Sequence, residues 1–406
     1  MSSTREQHPQ KENPQDGSDS VRPDSETGVF SIFVQNPFLL NYLFLFFITL
    51  LTWSADRRGL PSIVKGPEWD IAISAVRLWD YGTIERPDFY EWDKFFKSES
   101  TPEKGGFLWQ DKFSLGRDGK LYQTHALFMS VTAAPFYGLF GYAGFLFYNQ
   151  ALVWLCLWSF YKLAQQIGGT RAAVRSVFAL CCLSPILLWS FGFSYDVLLT
   201  ALLLFGTMLT ARSPFFGSFI YQLSVFIRPS EILFLPILFA TWFFKSKSRV
   251  KYAIKFILGV SLASAMFLAQ NWLLWGDALA TSHARRINYV NGVHEFISLK
   301  DVMPSLKTFL TDWPSKIFLH PEAALLPLNS IILLVPFALW MGRASLNWRN
   351  PFFWIMAAGI ARMCFAWSIP HWISPGYGPR YAFAGIVLCS ISTVFLQWRK
   401  ANGMKQ

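Results

Sequence analysis

The sequence predicts an all-α polytopic membrane protein, with about ten transmembrane helices and juxtamembrane helices in a large loop after the first of them. The 406-residue chain is 53% hydrophobic and only 15% charged, and its mean hydropathy is +0.31. Several stretches reach or approach about 18 apolar residues, the length that crosses a hydrocarbon core of ~30 Å. A soluble protein of this size could not keep so much apolar surface from water.

Eight apolar stretches and one short pair account for the predicted spans. Because lipid offers the backbone no hydrogen-bond partner, each of them should be a helix. The pair, residues 215–227 and 232–244, is short for two spans and turns at Arg228 to Glu231. The longer stretches are residues 38–53, 143–161, 174–191, 197–211, 254–274, 325–341, 351–366 and 381–397.

Polar segments divide the rest of the chain. Residues 1–36 are predicted to form a disordered cytoplasmic tail, since most of this segment is rich in Pro, Ser, Asp and Glu and lacks apolar periodicity. Residues 37–398 form the predicted transmembrane domain, and residues 399–406 form a second cytoplasmic tail. Outer-face loops are expected at about 55–142 and about 276–324.

The net charge of +11 is interpreted as an orientation signal and not as a sign of nucleic-acid binding. If residues 124–142 lie along the outer surface, the basic loops between the spans lie on the same side of the membrane as the N-terminal tail. The positive-inside rule requires this arrangement. If residues 124–142 cross the membrane, the basic cluster at 245–255 falls outside. Their mixture of His, Pro, Gly and aromatic residues is typical of an interface, so the first arrangement is predicted. The basic residues concerned are Lys162, Arg171, Arg175, Arg212, Lys245, Lys247, Arg249, Lys251, Lys255, Arg343, Arg349, Arg399, Lys400 and Lys405.

Two acids are candidates for a catalytic base. Glu68 and Asp70 open a helix predicted over residues 68–79, which ends before Gly82. Carboxylates are favoured in a first helical turn by the helix dipole, and this is the structural interpretation of both acids. The functional interpretation is a carboxylate base at the membrane surface, close to a lipid headgroup.

Asp111 is a third candidate, because it precedes a turn with Lys120 and Tyr122 and a helix start at His125. An acid near a lysine and a histidine could bind an anionic headgroup and an acceptor. A histidine at a helix start more often caps the helix or forms a structural hydrogen bond. Both the structural role and the binding role of His125 therefore stay open.

Arginines on the predicted outer face are candidates for binding phosphate, which Arg contacts in a bidentate manner. They are Arg228, Arg285, Arg286 and Arg380, and the alternative for each is snorkelling to the interface. A functional role is favoured for Arg380, because an arginine on the outer face opposes the orientation rule. Arg362 lies inside a predicted span, where it needs a partner or a polar cavity.

Several common sites are missing from the sequence. It contains no Walker-type phosphate loop, Rossmann fingerprint, H-E-x-x-H motif or G-x-S-x-G elbow. The five cysteines all fall in apolar spans, so neither a zinc site nor a disulfide framework is predicted. No strong internal repeat is visible, which weakens the case for an inverted-repeat transporter.

Five short motifs, in this order along residues 38–398, resemble the GT-C glycosyltransferases. The similarity is to the bacterial branch that resembles dolichyl-phosphate-mannose protein mannosyltransferases and lipid A aminoarabinose transferases. The first motif is an acid at a helix start after the first span, in a helix that ends in Gly. The others are Asp118-Gly119-Lys120-Leu121-Tyr122 through His125 to Ala134-Pro135-Phe136-Tyr137, then Arg228-Pro229, Asn271 with Gly276-Asp277, and Gly378-Pro379-Arg380-Tyr381.

The resemblance implies transfer of a sugar from a polyprenyl-phosphate donor to an acceptor hydroxyl, with inversion at the anomeric carbon. It places this reaction at the outer face of a multi-pass protein in a bacterial inner membrane, with a glycan, lipid or protein as acceptor. Spacing back from Gly82 puts Glu68 on the second acid of the family, and Asp70 follows two residues later. The base is therefore Glu68 or Asp70, with Asp111 as a helper.

The resemblance also implies a set of substrate-binding residues. Membrane lipid is an expected partner and nucleic acid is not. No cofactor follows from the sequence, although a divalent cation could assist. The expected substrate-binding residues are Lys120, Tyr122, His125, Arg228, Arg285, Arg286, Arg380 and Tyr381.

Two other classes of protein are alternatives. A transporter or flippase of lipid-linked saccharides would share the arginines and a membrane cavity, but it would not need a carboxylate at the start of the loop helix. A non-catalytic membrane scaffold would have no need of the acids, Trp and Tyr that concentrate in the first loop.

Overall fold

A computed structural model describes ten stretches of the chain, and within them the protein is mostly helical. The stretches are residues 68–85, 112–123, 127–184, 186, 192–280, 282, 286–288, 304–312, 348–368 and 378–392. The helices are α1 (Glu68–Tyr81), α2 (Leu127–Phe140), α3 (Ala143–Leu183), α4 (Tyr195–Thr210), α5 (Pro214–Gln222), α6 (Leu235–Phe243), α7 (Arg249–Trp275), α8 (Pro351–Ser368) and α9 (Gly378–Cys389).

A small antiparallel sheet accompanies the helices. Its strands are β1 (Lys112–Leu115), β2 (Leu121–Gln123) and β3 (Arg286–Asn288), in the order β2-β1-β3. The sheet joins the first predicted outer loop to the second, because β1 pairs with both other strands. These strands were not predicted from the sequence, since three or four residues are too few for an alternating pattern to be recognised.

The first-loop helix predicted over residues 68–79 is confirmed as α1. It ends at Gly82, whose φ of +68° is a left-handed conformation that glycine adopts without steric cost. Helix α1 packs along α2, and Gly138 of α2 allows a close approach. A Cβ at Gly138 would lie only 1.9 Å from Cε2 of Trp79, so a larger residue would force the Trp79 ring to move.

Two helices in the described part of the chain, α3 and α7, are long and apolar enough to cross a membrane. In α3, 67% of the most apolar window is buried against other elements, whereas the figure for α7 is 22%. Helix α3 is therefore central and α7 is peripheral. The predicted spans 143–161 and 174–191 both begin within α3, which breaks at Gly169 with φ +79° and ψ 175°.

The short predicted pair 215–227 and 232–244 is a hairpin of broken helices. Helix α5 continues as a 3₁₀ segment, Leu223–Phe226, and a second 3₁₀ segment, Pro229–Phe234, leads into α6. Proline stands at the start of both parts of the second arm, where its missing N–H costs no hydrogen bond. We call residues 223–234 the hairpin tip.

The remaining helices pack around this hairpin. Helix α5 lies against α4 and α7, helix α6 lies against α8, and α9 lies against α8 and α4. Glycines bring α8 and α9 together, since a Cβ at Gly359 would be 2.9 Å from the backbone oxygen of Gly385. Small residues at such crossings are typical of helices that associate in lipid. The predicted spans 38–53 and 325–341 lie outside the described residues.

Candidate functional site

A buried ion pair fastens the hairpin tip to α4. Ser194 caps α4, and Asp196 lies in its first turn with the side chain fully enclosed. Arg228 stands between the two 3₁₀ segments and donates from Nη2 to Oδ1 of Asp196 over 2.5 Å. Because both groups are buried, each depends on the other for compensation of its charge. Arg228 therefore does not snorkel to the interface, which was the alternative interpretation of this residue.

A second buried ion pair fastens the hairpin tip to α8. Arg362 donates from Nε to Oε2 of Glu231 over 3.0 Å and from Nη1 to the carbonyl oxygen of Ala358 over 3.2 Å. Its Nη2 also donates to the hydroxyl of Tyr221 at the end of α5. The guanidinium lies 4.3 Å from the ring centroid of Phe234, a cation–π distance. The expectation that Arg362 has partners inside its span is confirmed.

Both arginines and Glu231 line one pocket, which we call the arginine pocket. It encloses about 240 Å³, including the space at its open mouth. The hydroxyl oxygen of Ser230 is buried there without a hydrogen-bond partner among the described residues. Each arginine is matched by a carboxylate, so the two pairs carry no net charge. The pocket is lined by Arg228, Ser230, Glu231, Phe234, Arg362, Phe365, Ala366 and Ala384.

The two candidate bases are buried at the start of α1. Glu68 is 2% exposed and Asp70 is 5% exposed, which is unusual for carboxylates. The segment around them is fixed by Ser130 of α2, whose hydroxyl lies 2.9 Å from the carbonyl oxygen of Ile71 and 2.8 Å from Oε1 of Gln123. The start of α1 is thus held against the start of α2 and the end of β2.

Helix α2 connects the start of α1 with the hairpin tip. The ring of Phe128, in the first turn of α2, lies 5.6 Å from that of Phe226, two residues before Arg228. Phe226 also contacts Phe267 of α7, with ring centroids 5.3 Å apart. The buried acids of α1 and the buried Arg228 therefore belong to neighbouring parts of the same end of the helix bundle.

The turn between β1 and β2 is held by its own polar side chains. The hydroxyl of Tyr122 donates to Oδ2 of Asp118 over 2.7 Å, and Nζ of Lys120 contacts Oε2 of Glu85 over 2.7 Å. A slight loss of hydration acts to raise the pKa of the exposed Asp118, but hydrogen bonds from Tyr122 and the Lys120 amide outweigh it and lower the pKa below its ordinary value. The hydrogen bond and the charge of Glu85 raise the pKa of the Lys120 ammonium.

The sheet rests on the C-terminal end of α7. The amide of Arg117 donates to the carbonyl oxygen of Leu274 over 2.7 Å, and the ring of Tyr122 meets that of Trp275 edge-on at 5.8 Å. Burial, followed by the hydrogen bond to Asp118, raises the pKa of Tyr122. Tyr122 and Lys120, both predicted to bind substrate, thus hold the sheet and its turn in the structure.

Three of the remaining predicted residues lie in described elements, and three do not. Arg286 lies in β3, and Arg380 and Tyr381 lie in the first turn of α9, one turn before Ala384 of the arginine pocket. Asp111, His125 and Arg285 lie outside the described residues.

Two members of the buried network, Asp196 and Tyr221, were not predicted from the sequence. An available signal for Asp196 was a carboxylate in an apolar segment, which is costly in a membrane unless it is paired. The N-capping Ser194, two residues earlier, pointed to the same helix start. For Tyr221 no sequence signal existed, because its partner is 141 positions away.

Within the described residues, no group of three His, Cys, Asp or Glu side chains is placed to hold a metal ion. Comparisons with models of known protein families, with curated proteins and with solved structures gave no match.

Proposed function

We propose that the chain is a GT-C-like glycosyltransferase of about ten membrane spans, with its active site at the outer face of a bacterial inner membrane. It would move a sugar from a polyprenyl-phosphate donor to an acceptor hydroxyl, with inversion. The observation that carries the proposal is the burial of Glu68 and Asp70 at the start of α1, at the same end of the bundle as Arg228. Surface acids that only capped a helix would have no reason to be enclosed.

The two ends of α7 support the proposed orientation. The basic residues 245–255 lie in its first two turns and in the connection just before them, and its last turn carries the sheet of the first loop. A helix of 27 residues is about 40 Å long, enough to separate the two sides of a bilayer. The first loop and the basic cluster therefore lie at opposite ends of one helix, as the positive-inside rule requires for an outer first loop.

Inverting transfer needs a base that takes the proton of the acceptor hydroxyl, and Glu68 or Asp70 fills this role in the proposal. Such a base contributes roughly 10²–10⁴-fold to the rate. Asp111 would assist. A carboxylate enclosed beside α2 is shielded from bulk water, which strengthens its interaction with a hydroxyl that is losing its proton.

The phosphate of the donor needs cations as its negative charge grows. Asp196 orients the guanidinium of Arg228 but also offsets its charge. An excess of positive charge must therefore come from further arginines, and in the proposal these are Arg380, Arg285 and Arg286. A divalent cation could add to it.

The test uses purified protein in vesicles with a radiolabelled sugar on a polyprenyl-phosphate donor. Glu68→Gln and Asp70→Asn are compared with Asp80→Asn, which removes an exposed acid from the other end of the same helix. Loss of transfer in one of the first two variants but not in Asp80→Asn supports the proposal. Full transfer in all three variants removes it.

The alternative is a transporter or flippase of lipid-linked saccharides. The observation that favours it is the hairpin of broken helices with two buried ion pairs, an arrangement found where ions or substrates pass through a membrane. Vesicles without an acceptor distinguish the two functions. A flippase would move the labelled donor across the bilayer under these conditions, whereas a transferase would leave it in place.

A further inference from the structure

Five cations surround the beginning of α7, and we call them the basic collar. They lie in the short connection after α6 and in the first two turns of α7, and all five side chains are exposed. The sequence has no Asp or Glu between Glu231 and Asp277 that could balance them. The members of the collar are Lys245, Lys247, Arg249, Lys251 and Lys255.

Within the part of the chain that the structure describes, no carboxylate compensates the charge of the collar. None of the five cations has an ion pair among the described residues. The nearest favourable contact is that of Arg249 with the ring of Phe243, at 5.9 Å. Cations in a first helical turn are also opposed by the helix dipole. The collar is therefore a concentration of positive charge that no acid among the described residues neutralises.

The collar continues directly into an apolar face. Lys251, Lys255, Leu258 and Leu262 follow one another at helical spacing on the same side of α7. Leu258 is 55% exposed and Leu262 is 47% exposed, so this side is covered by neither α5 nor α6. A surface that changes from cationic to apolar within two turns matches a lipid headgroup above its acyl chains.

Aromatic residues at both ends of α7 match the thickness of a bilayer. Trp272 is exposed 21 residues after Lys251, which corresponds to about 32 Å along the helix. This distance is close to the ~30 Å of a hydrocarbon core. Beside the collar, the half-exposed Trp348 packs edge-on against Phe244 at 4.4 Å. Tryptophans at these two levels are typical of membrane interfaces.

We propose that the basic collar binds the headgroups of anionic phospholipids in the leaflet that surrounds the start of α7. Its charge is complementary to such headgroups, and its continuity with the apolar face of α7 places it at their depth. A nucleic acid or an acidic protein would match the cations but would gain nothing from Leu258 and Leu262. The inference depends on the membrane embedding proposed above and is independent of sugar transfer.

The experiment compares two matched double variants of the full chain in a neutral detergent. Lys251→Gln with Lys255→Gln removes two charges from the collar, and Arg117→Gln with Lys307→Gln removes two exposed charges elsewhere. Native mass spectrometry then measures the retention of phosphatidylglycerol and of phosphatidylcholine. We expect the wild type and the Arg117/Lys307 variant to prefer phosphatidylglycerol, and the collar variant to bind it roughly tenfold more weakly at ~0.1 M salt.

A second collar variant guards against a folding defect. If the Lys251/Lys255 variant fails to fold, Lys245→Gln with Lys247→Gln replaces it, because these residues lie outside the helix. Equal retention of the two lipids by the wild type would overturn the proposal. So would equal losses in the collar variant and the Arg117/Lys307 variant, or binding of an acidic oligonucleotide that phosphatidylglycerol does not displace. These results do not depend on activity, so they can be told apart from a failure of the proposed transfer.

Discussion

Arg362 of α8 and Glu231 of the hairpin tip form a buried ion pair although they are 131 positions apart in the sequence. Three residues before Glu231, Arg228 makes the opposite arrangement with Asp196 of α4. The hairpin tip thus presents a cation to one neighbouring helix and an anion to another. This alternation holds the hairpin tip between α4 and α8.

Replacement of Arg362 by Met should destabilise the protein severely. It leaves the carboxylate of Glu231 buried without its partner, which costs about 3–5 kcal/mol in comparable sites. The free energy of unfolding in an SDS titration measures the effect, with the exposed Arg212→Met as control. The double variant Arg362→Met with Glu231→Met should recover most of the loss. A double variant as unstable as the single one would show that the ion pair is not the reason.

Replacement of Arg228 by Lys should weaken binding of the donor but leave the stability of the fold almost unchanged. Lys keeps the charge beside Asp196, so the melting temperature should fall only slightly. It lacks the planar guanidinium that donates two parallel hydrogen bonds to a phosphate. The apparent KM for the polyprenyl-phosphate donor should therefore rise roughly tenfold. Steady-state kinetics with varied donor checks this. An unchanged KM together with an unchanged melting temperature would assign Arg228 no role in donor binding.

Replacement of Arg380 by Ala should weaken use of the donor more than use of the acceptor. Asp196 offsets the charge of Arg228. Arg380 is therefore proposed to supply the positive charge that the phosphate of the donor needs. Two kinetic series, one with varied donor and one with varied acceptor, measure the two effects. An unchanged apparent affinity for the donor would argue against the assignment.

The turn between β1 and β2 should loosen in acid. The pKa of Asp118 is lowered in the folded protein, so its contribution to stability is fully present above its ordinary pKa of 3.8 and is lost as the pH falls through the lower folded value. Hydrogen exchange of residues 112–123, corrected for intrinsic rates, should reveal less protection at pH 3 than at pH 6. In Asp118→Asn the difference between the two pH values should become smaller. A difference of the same size in that variant would exclude Asp118 as its cause.

Local patterns in the sequence predicted much of the helical framework. The start of α1 is the predicted residue and its end lies two residues beyond the predicted one, because first-turn acids and a terminal glycine are local signals. The span predicted over residues 197–211 agrees with α4 to within two residues at its start and one at its end. Apolar length alone was sufficient for α4.

The contacts that build the candidate site could not be predicted in the same way. Arg362 was expected to need a partner, but nothing in the neighbouring sequence names Glu231 or Tyr221. The sheet was missed because β1 pairs with β3 from a separate loop, 174 positions or so further along, and a strand of three residues has no pattern of its own. Pairing at such distances depends on how the helices pack.

The most direct test of the central claim is the rate of sugar transfer by purified protein in vesicles, measured in a single turnover with saturating polyprenyl-phosphate donor. The account predicts that either Glu68→Gln or Asp70→Asn lowers this rate at least about 10²-fold while the melting temperature stays within a few degrees of the wild type. Transfer at the wild-type rate by both variants, or no transfer by the wild type with any polyprenyl-phosphate sugar, would contradict it.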